Sequence, residues 1–145
     1  MIKRGICIVI VILIFSCGGG SDRNNSNNAS NGQTSFNPPS WIKGTWCMNS
    51  PDFGCLDQGY EFRNDDFCNW YSGTIYSCWK ENLENMSVAD ENIGVYEESS
   101  SDRYFFIINY IGGNEYQYEF VKISNTIMIS VNTITGETIG EYIKL

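Results

Sequence analysis

The sequence predicts an all-β fold, an antiparallel up-and-down meander closing into a small β-barrel of about eight strands. Three observations predict it. Apolar residues recur at every second position through 59–63 and 126–132, the spacing of a strand with one face in a core. Clusters of Gly, Asn, Asp and Ser separate such runs at short intervals, which marks hairpin turns. Residues 36–145 have the size of one domain with one core, and at that size closure into a barrel removes the exposed edges of a long meander.

The chain begins with a segment that belongs to export rather than to the fold. Met1–Ser16 has a basic start (Lys3, Arg4), an apolar run from Ile6 to Phe15 and a small residue at its end, the three parts of a signal peptide. The run is about half the length of the ~20 residues that span a bilayer. Ile14-Phe15-Ser16-Cys17 resembles the lipobox of bacterial lipoproteins. The resemblance implies cleavage before Cys17, lipidation of its thiol with diacylglycerol, and acylation (palmitate) of the new amino terminus. Each buried CH₂ contributes about 0.8 kcal/mol, so several chains make a lasting anchor. Gly18 after the cysteine resembles lipoproteins sent on to the outer membrane, with the periplasmic and cell-surface faces both open.

Residues 17–35 contain no large apolar side chain and are rich in Gly, Ser and Asn. Such a segment buries too little to offset its ordering entropy and reads as a flexible tether. Its ends lie about 20 to 25 Å apart on average, which holds the 36–145 domain clear of the headgroups.

Removal of Lys3 and Arg4 with the signal leaves seven basic against 17 acidic side chains, a balance of −10. Nucleic acid, whose phosphates want Lys and Arg clusters, is excluded as a partner. A basic protein would associate faster with such a surface.

Four cysteines remain in the domain: Cys47, Cys55, Cys68 and Cys78. An even number in an exported chain reads as disulfides. Of three pairings, Cys47 with Cys55 and Cys68 with Cys78 are favoured because each brackets turn residues, each loop contributing roughly 3 kcal/mol at most. Zinc is the competing reading, but the chain has no Cys-x-x-Cys spacing and no histidine, so no metal is expected.

Within the domain, Ser40 caps a single helical turn through Lys43, and Gly44–Met48 begins a strand. Gly59–Arg63 alternates and ends at the Asn64-Asp65-Asp66 turn, and 67–71 and 74–79 flank Ser72-Gly73 as a hairpin. Trp79, Leu83 and Met86 have helical spacing, but Asn82 and Asn85 favour irregular structure. A strand follows near 93–97, then the pair 103–111 and 114–123 joined through Gly112-Gly113. A two-residue loop puts Phe105, Ile107 and Ile111 on the face of Tyr116, Tyr118 and Phe120. A three-residue loop ending at Asn114 puts Tyr104, Phe106, Ile108 and Tyr110 there instead, because one residue of slip exchanges the faces. Strands at 126–132 and 139–145 complete the meander.

Two resemblances bear on function. Trp41-Ile42-Lys43-Gly44-Thr45-Trp46 is similar to the opening of lipocalins and lipocalin-like lipoprotein domains. It implies that Trp46 plugs one end of the barrel and that a small apolar ligand enters the other. Phe105, Ile107, Tyr116, Tyr118 and Phe120 would then line the cavity in one register. Ser72-Gly73-Thr74-Ile75-Tyr76 resembles the Ser-Gly-x-x-Tyr signature of bacterial inhibitors of c-type lysozyme. That implies instead a protein-interaction barrel acting through Ser72, Gly73 and Tyr76. Catalysis is not expected, since the chain lacks histidine and its paired acids (Asp65-Asp66, Asp90-Glu91, Glu97-Glu98) fall in turns or stand adjacent. Asp52-Phe53-Gly54 has no Gly-rich loop to accompany it, and no phosphate loop or EF-hand is present, so no cofactor is expected. The expected protein is a lipid-anchored envelope lipoprotein whose barrel binds a small apolar ligand, or alternatively a lysozyme-inhibitor-like partner.

Overall fold

Strands β1 (Gly44–Ser50) and β2 (Gly54–Phe62) form the first hairpin, and the computed structural model describes residues 33–72 and 74–145. Cys17, the signal and all of the tether before Gln33 lie outside the described residues, as does Gly73. β3 (Phe67–Tyr71) and β4 (Thr74–Cys78) continue the meander, followed by helix α1 (Trp79–Ser87). The second half is β5 (Gly94–Ser99), β6 (Arg103–Tyr110), β7 (Asn114–Lys122), β8 (Ile127–Val131) and β9 (Thr138–Lys144).

All pairings are antiparallel, and the single sheet has the order β4-β3-β2-β1-β9-β8-β7-β6-β5. Among the described residues the count is therefore nine strands rather than about eight, and the sheet is a curled half-barrel that does not close by hydrogen bonding. Every sequential pair is joined except β4 and β5, and β9 returns to β1. At the missing seam the connection carries the α-helix α1. α1 forms despite Asn82 and Asn85 because a distant carboxylate caps it. Buried Asp66, in the β2–β3 turn, accepts from the backbone N–H groups of Trp79 at 3.2 Å and Lys80 at 2.9 Å. That satisfies two of the orphan donors at the helix start.

A strap of residues 33–38 lies across the open seam. Val95 N–H of the β5 edge donates to the Gln33 carbonyl at 2.7 Å, and Phe36 N–H donates to the Asp65 carbonyl at 3.1 Å. The Phe36 ring is buried between Phe67 and Phe106, at centroid distances of 6.0 and 5.4 Å. Half-buried Glu97 on β5 ties the strap down, accepting from Asn37 N–H, Gln33 Nε2 and the Tyr104 hydroxyl.

The concave face is filled by rings. Phe62, Phe67, Tyr104, Phe106 and Phe120 are fully buried, with Phe67–Phe106 at 4.9 Å, Phe106–Tyr118 at 5.0 Å and Phe62–Phe120 at 5.1 Å. Each such side chain contributes about 1.5–3 kcal/mol through burial, and the edge-to-face pairs add to that.

Candidate functional site

The β6–β7 hairpin decides which predicted lining residues share the concave face. Its turn is the three-residue 3₁₀ segment Ile111–Gly113, with Tyr110 paired to Asn114. Gly112 and Gly113 take φ of 77° and 75°, a region that glycine enters without a Cβ clash. The loop thus has three residues but ends at Gly113, with Asn114 already in the strand. Tyr104 stands opposite Phe120, Phe106 opposite Tyr118, and Ile108 opposite Tyr116. Tyr118 and Phe120 face inward as expected. Phe105 and Ile107, expected to line the cavity, lie on the convex face, where Phe105 packs under the Arg103 guanidinium at 5.2 Å. Tyr116 is at the rim, 44% exposed, with its ring 5.6 Å from Trp79.

Both favoured disulfides are present. Cys47–Cys55 joins β1 to β2, and Cys68–Cys78 joins opposed positions of β3 and β4. Asp66 lies beside the second one, but thiols joined in a disulfide offer no thiolate to a metal, and the Asp66 carboxylate is spent on the helix cap.

Trp46 is fully buried beneath the turn at residues 40–42. Its Nε1 donates to the Ile42 carbonyl at 2.6 Å, and Lys144 Nζ stands 5.1 Å from its ring while donating to the Trp41 carbonyl. Burial, then Lys122, pulls the Lys144 ammonium below its ordinary pKa. Ser72 is exposed at the tip of the β3–β4 hairpin with φ 54°. Tyr76 lies within β4.

Above the filled interior, the concave face opens into a groove of about 410 Å³ on β1, β2, β3 and β9. It is near the lower end of the range of small-ligand pockets. Tyr60 and Tyr142, 5.1 Å apart, form its floor. Burial first, then the neighbouring Tyr142 and Tyr118, pushes the Tyr60 phenol well above its ordinary pKa, so it is neutral. Gln58, Asn69, Tyr71 and Met48 make the walls. The back of this region is rigid. Trp70, on the convex face opposite Gly59, donates from Nε1 to the Trp46 carbonyl at 3.1 Å, and a Cβ on Gly59 would fall 1.9 Å from that same oxygen. Only glycine fits there.

A second groove of about 450 Å³ lies behind Trp70 on the convex face, among Thr45, Asp57, Glu61 and Arg63. Arg63 closes part of it by pairing with Glu61 at 3.0 Å.

The concave groove residues Gln58, Asn69 and Tyr71 were not candidates from the sequence. The only signal for them was the period-two phase of 59–63 and 67–71, which joins Tyr60, Asn69 and Tyr71 on one face once those strands are paired. No protein-family model, curated protein or solved structure matches the chain.

Proposed function

We propose that this chain is a lipid-anchored envelope protein that holds a small ligand at the mouth of its half-barrel. The observation that carries the reading is the open groove over Tyr60 and Tyr142. The lipocalin-like expectation of a ligand deep inside shifts toward the mouth, because the protein's own rings occupy the interior. Cys17 supplies the anchor in this reading, and the outer membrane is the address that Gly18 suggests. The test is a titration of the full-length protein with N-phenyl-1-naphthylamine, a neutral probe that brightens on leaving water. Emission rises with the wild-type protein above a matched detergent blank and falls to that blank with Tyr71→Ala. An equal rise with both would place the probe elsewhere and overturn the reading.

A second reading, a protein-interaction barrel of the lysozyme-inhibitor kind, has its own support. Ser72 is exposed on a hairpin tip beside a filled interior, and the acidic surface suits a basic enzyme. It predicts co-elution with c-type lysozyme in size-exclusion chromatography, lost on Ser72→Trp.

A further inference from the structure

The walls of the concave groove are arranged as a checkerboard. In the β2–β3 register Gln58 stands opposite Tyr71, and Tyr60 opposite Asn69. Along each strand these are alternate residues, so all four share the concave face. Two rings thus occupy one diagonal and two carboxamides the other. Such a patch measures about 5 Å across the strand pair and about 7 Å along each strand, the footprint of one six-membered ring with its substituents.

The amides are open for business with a ligand. Among the described residues Gln58 Nε2 donates only to the Met48 thioether, at 3.3 Å, a weak acceptor, and the Gln58 oxygen accepts no hydrogen bond. Asn69 forms no side-chain hydrogen bond among the described residues. The Tyr71 ring is 60% exposed. No lining residue carries a charge, so neither a phosphate nor an ammonium finds a counter-ion. An apolar molecule can occupy the groove but leaves both amides without a partner, so a ligand that also replaces their water is held more tightly.

We propose that the groove is a saccharide site: one neutral sugar ring lies across the checkerboard, its C–H face on Tyr71 and Tyr60 and its hydroxyls on Gln58 and Asn69. The proposal rests on the reading that the groove takes a small ligand, and deepens it by naming the class. A sugar suits both diagonals. Its ring hydrogens carry partial positive charge toward the negative face of an aromatic ring. Its adjacent hydroxyls each donate and accept, matching the donor and acceptor that a carboxamide offers side by side.

The test is isothermal titration of the full-length protein, in a detergent without a sugar headgroup. The titrants are the methyl glycosides and β-linked trisaccharides of glucose, galactose and N-acetylglucosamine. At least one binds. Asn69→Ala and Tyr71→Ala each weaken it roughly three- to tenfold, the scale of a lost neutral hydrogen bond or ring contact, whereas Tyr71→Phe retains it. Tyr71 is exposed enough that its variants keep the fold, which far-ultraviolet circular dichroism checks. If N-phenyl-1-naphthylamine binds at the groove and no saccharide binds or displaces it, the sugar assignment is overturned while the ligand site stands. If neither binds, both are overturned.

Discussion

Glu97 is an acid on the inward face of a strand, where its neighbours in the same phase are Val95 and the rings opposite. Its carboxylate is held by Asn37 N–H, Gln33 Nε2 and the Tyr104 hydroxyl. Burial nonetheless outweighs those bonds and raises its pKa above the ordinary glutamate value. The folded state therefore holds this proton more tightly than the unfolded one. The resulting contribution to stability is complete below the unfolded value of about 4.3 and is lost as pH rises through the raised folded value. In urea denaturation, wild type should gain stability relative to Glu97→Gln as pH falls from about 7.5 to about 4. A difference that is flat or of opposite sign over that range would remove Glu97 from the account. Asp65 behaves oppositely: the Lys80 ammonium at 2.5 Å holds it below the carboxylate range. Both Asp65 and Lys80 are at the surface, where solvent screens the pair.

Among elements, the strap at 33–38 does most to complete the half-barrel. It supplies a ring to the core and hydrogen bonds that join the β5 edge to the β2–β3 turn without a tenth strand. Phe36→Ala removes a fully buried ring and should cost about 3–5 kcal/mol, with new proteolytic cuts between 33 and 40. Stability within about 0.5 kcal/mol of wild type would show that the strap is decoration. This element was the least legible, since Gln33 and Ser35 read as tether and Phe36 only as the first residue of the domain. Its partners, Asp65 and Val95, are far off in sequence. α1 was obscured for the same reason, because its cap comes from Asp66 and not from the residue before it. Strand phase was far more legible. The alternation at 59–62 and 127–131 survives in the structure, and both disulfides follow from their turns. The β6–β7 register needed the conformation of Ile111-Gly112-Gly113, which composition leaves undecided. The checkerboard was invisible for a related reason. Gln58 and Asn69 look like ordinary polar strand residues until β2 and β3 are set in register.

At the scale of the whole molecule, one face of a curled sheet is packed shut with rings for most of its length and left open at one end. The closed part keeps Trp46, Phe62 and Phe106 out of reach of any ligand. The open part brings Tyr60, Tyr71, Gln58 and Asn69 within one sugar ring's breadth. The segment 33–38 ties β5 to the β2–β3 turn beside the open seam between β4 and β5. Residues 36–145 carry six basic and 16 acidic side chains, a balance of −10. An uncharged groove on an otherwise acidic surface is where a neutral small molecule is expected.

Native mass spectrometry of the full-length protein, purified from the cells that make it, tests the central claim most directly. A second species is expected, heavier than the bare chain by the mass of one small neutral molecule, whose share of the population falls in Tyr71→Ala. A single species at the mass of the bare chain, unchanged by added saccharides or N-phenyl-1-naphthylamine and shifted only by one bound c-type lysozyme, would contradict this and leave the protein-interaction reading in its place.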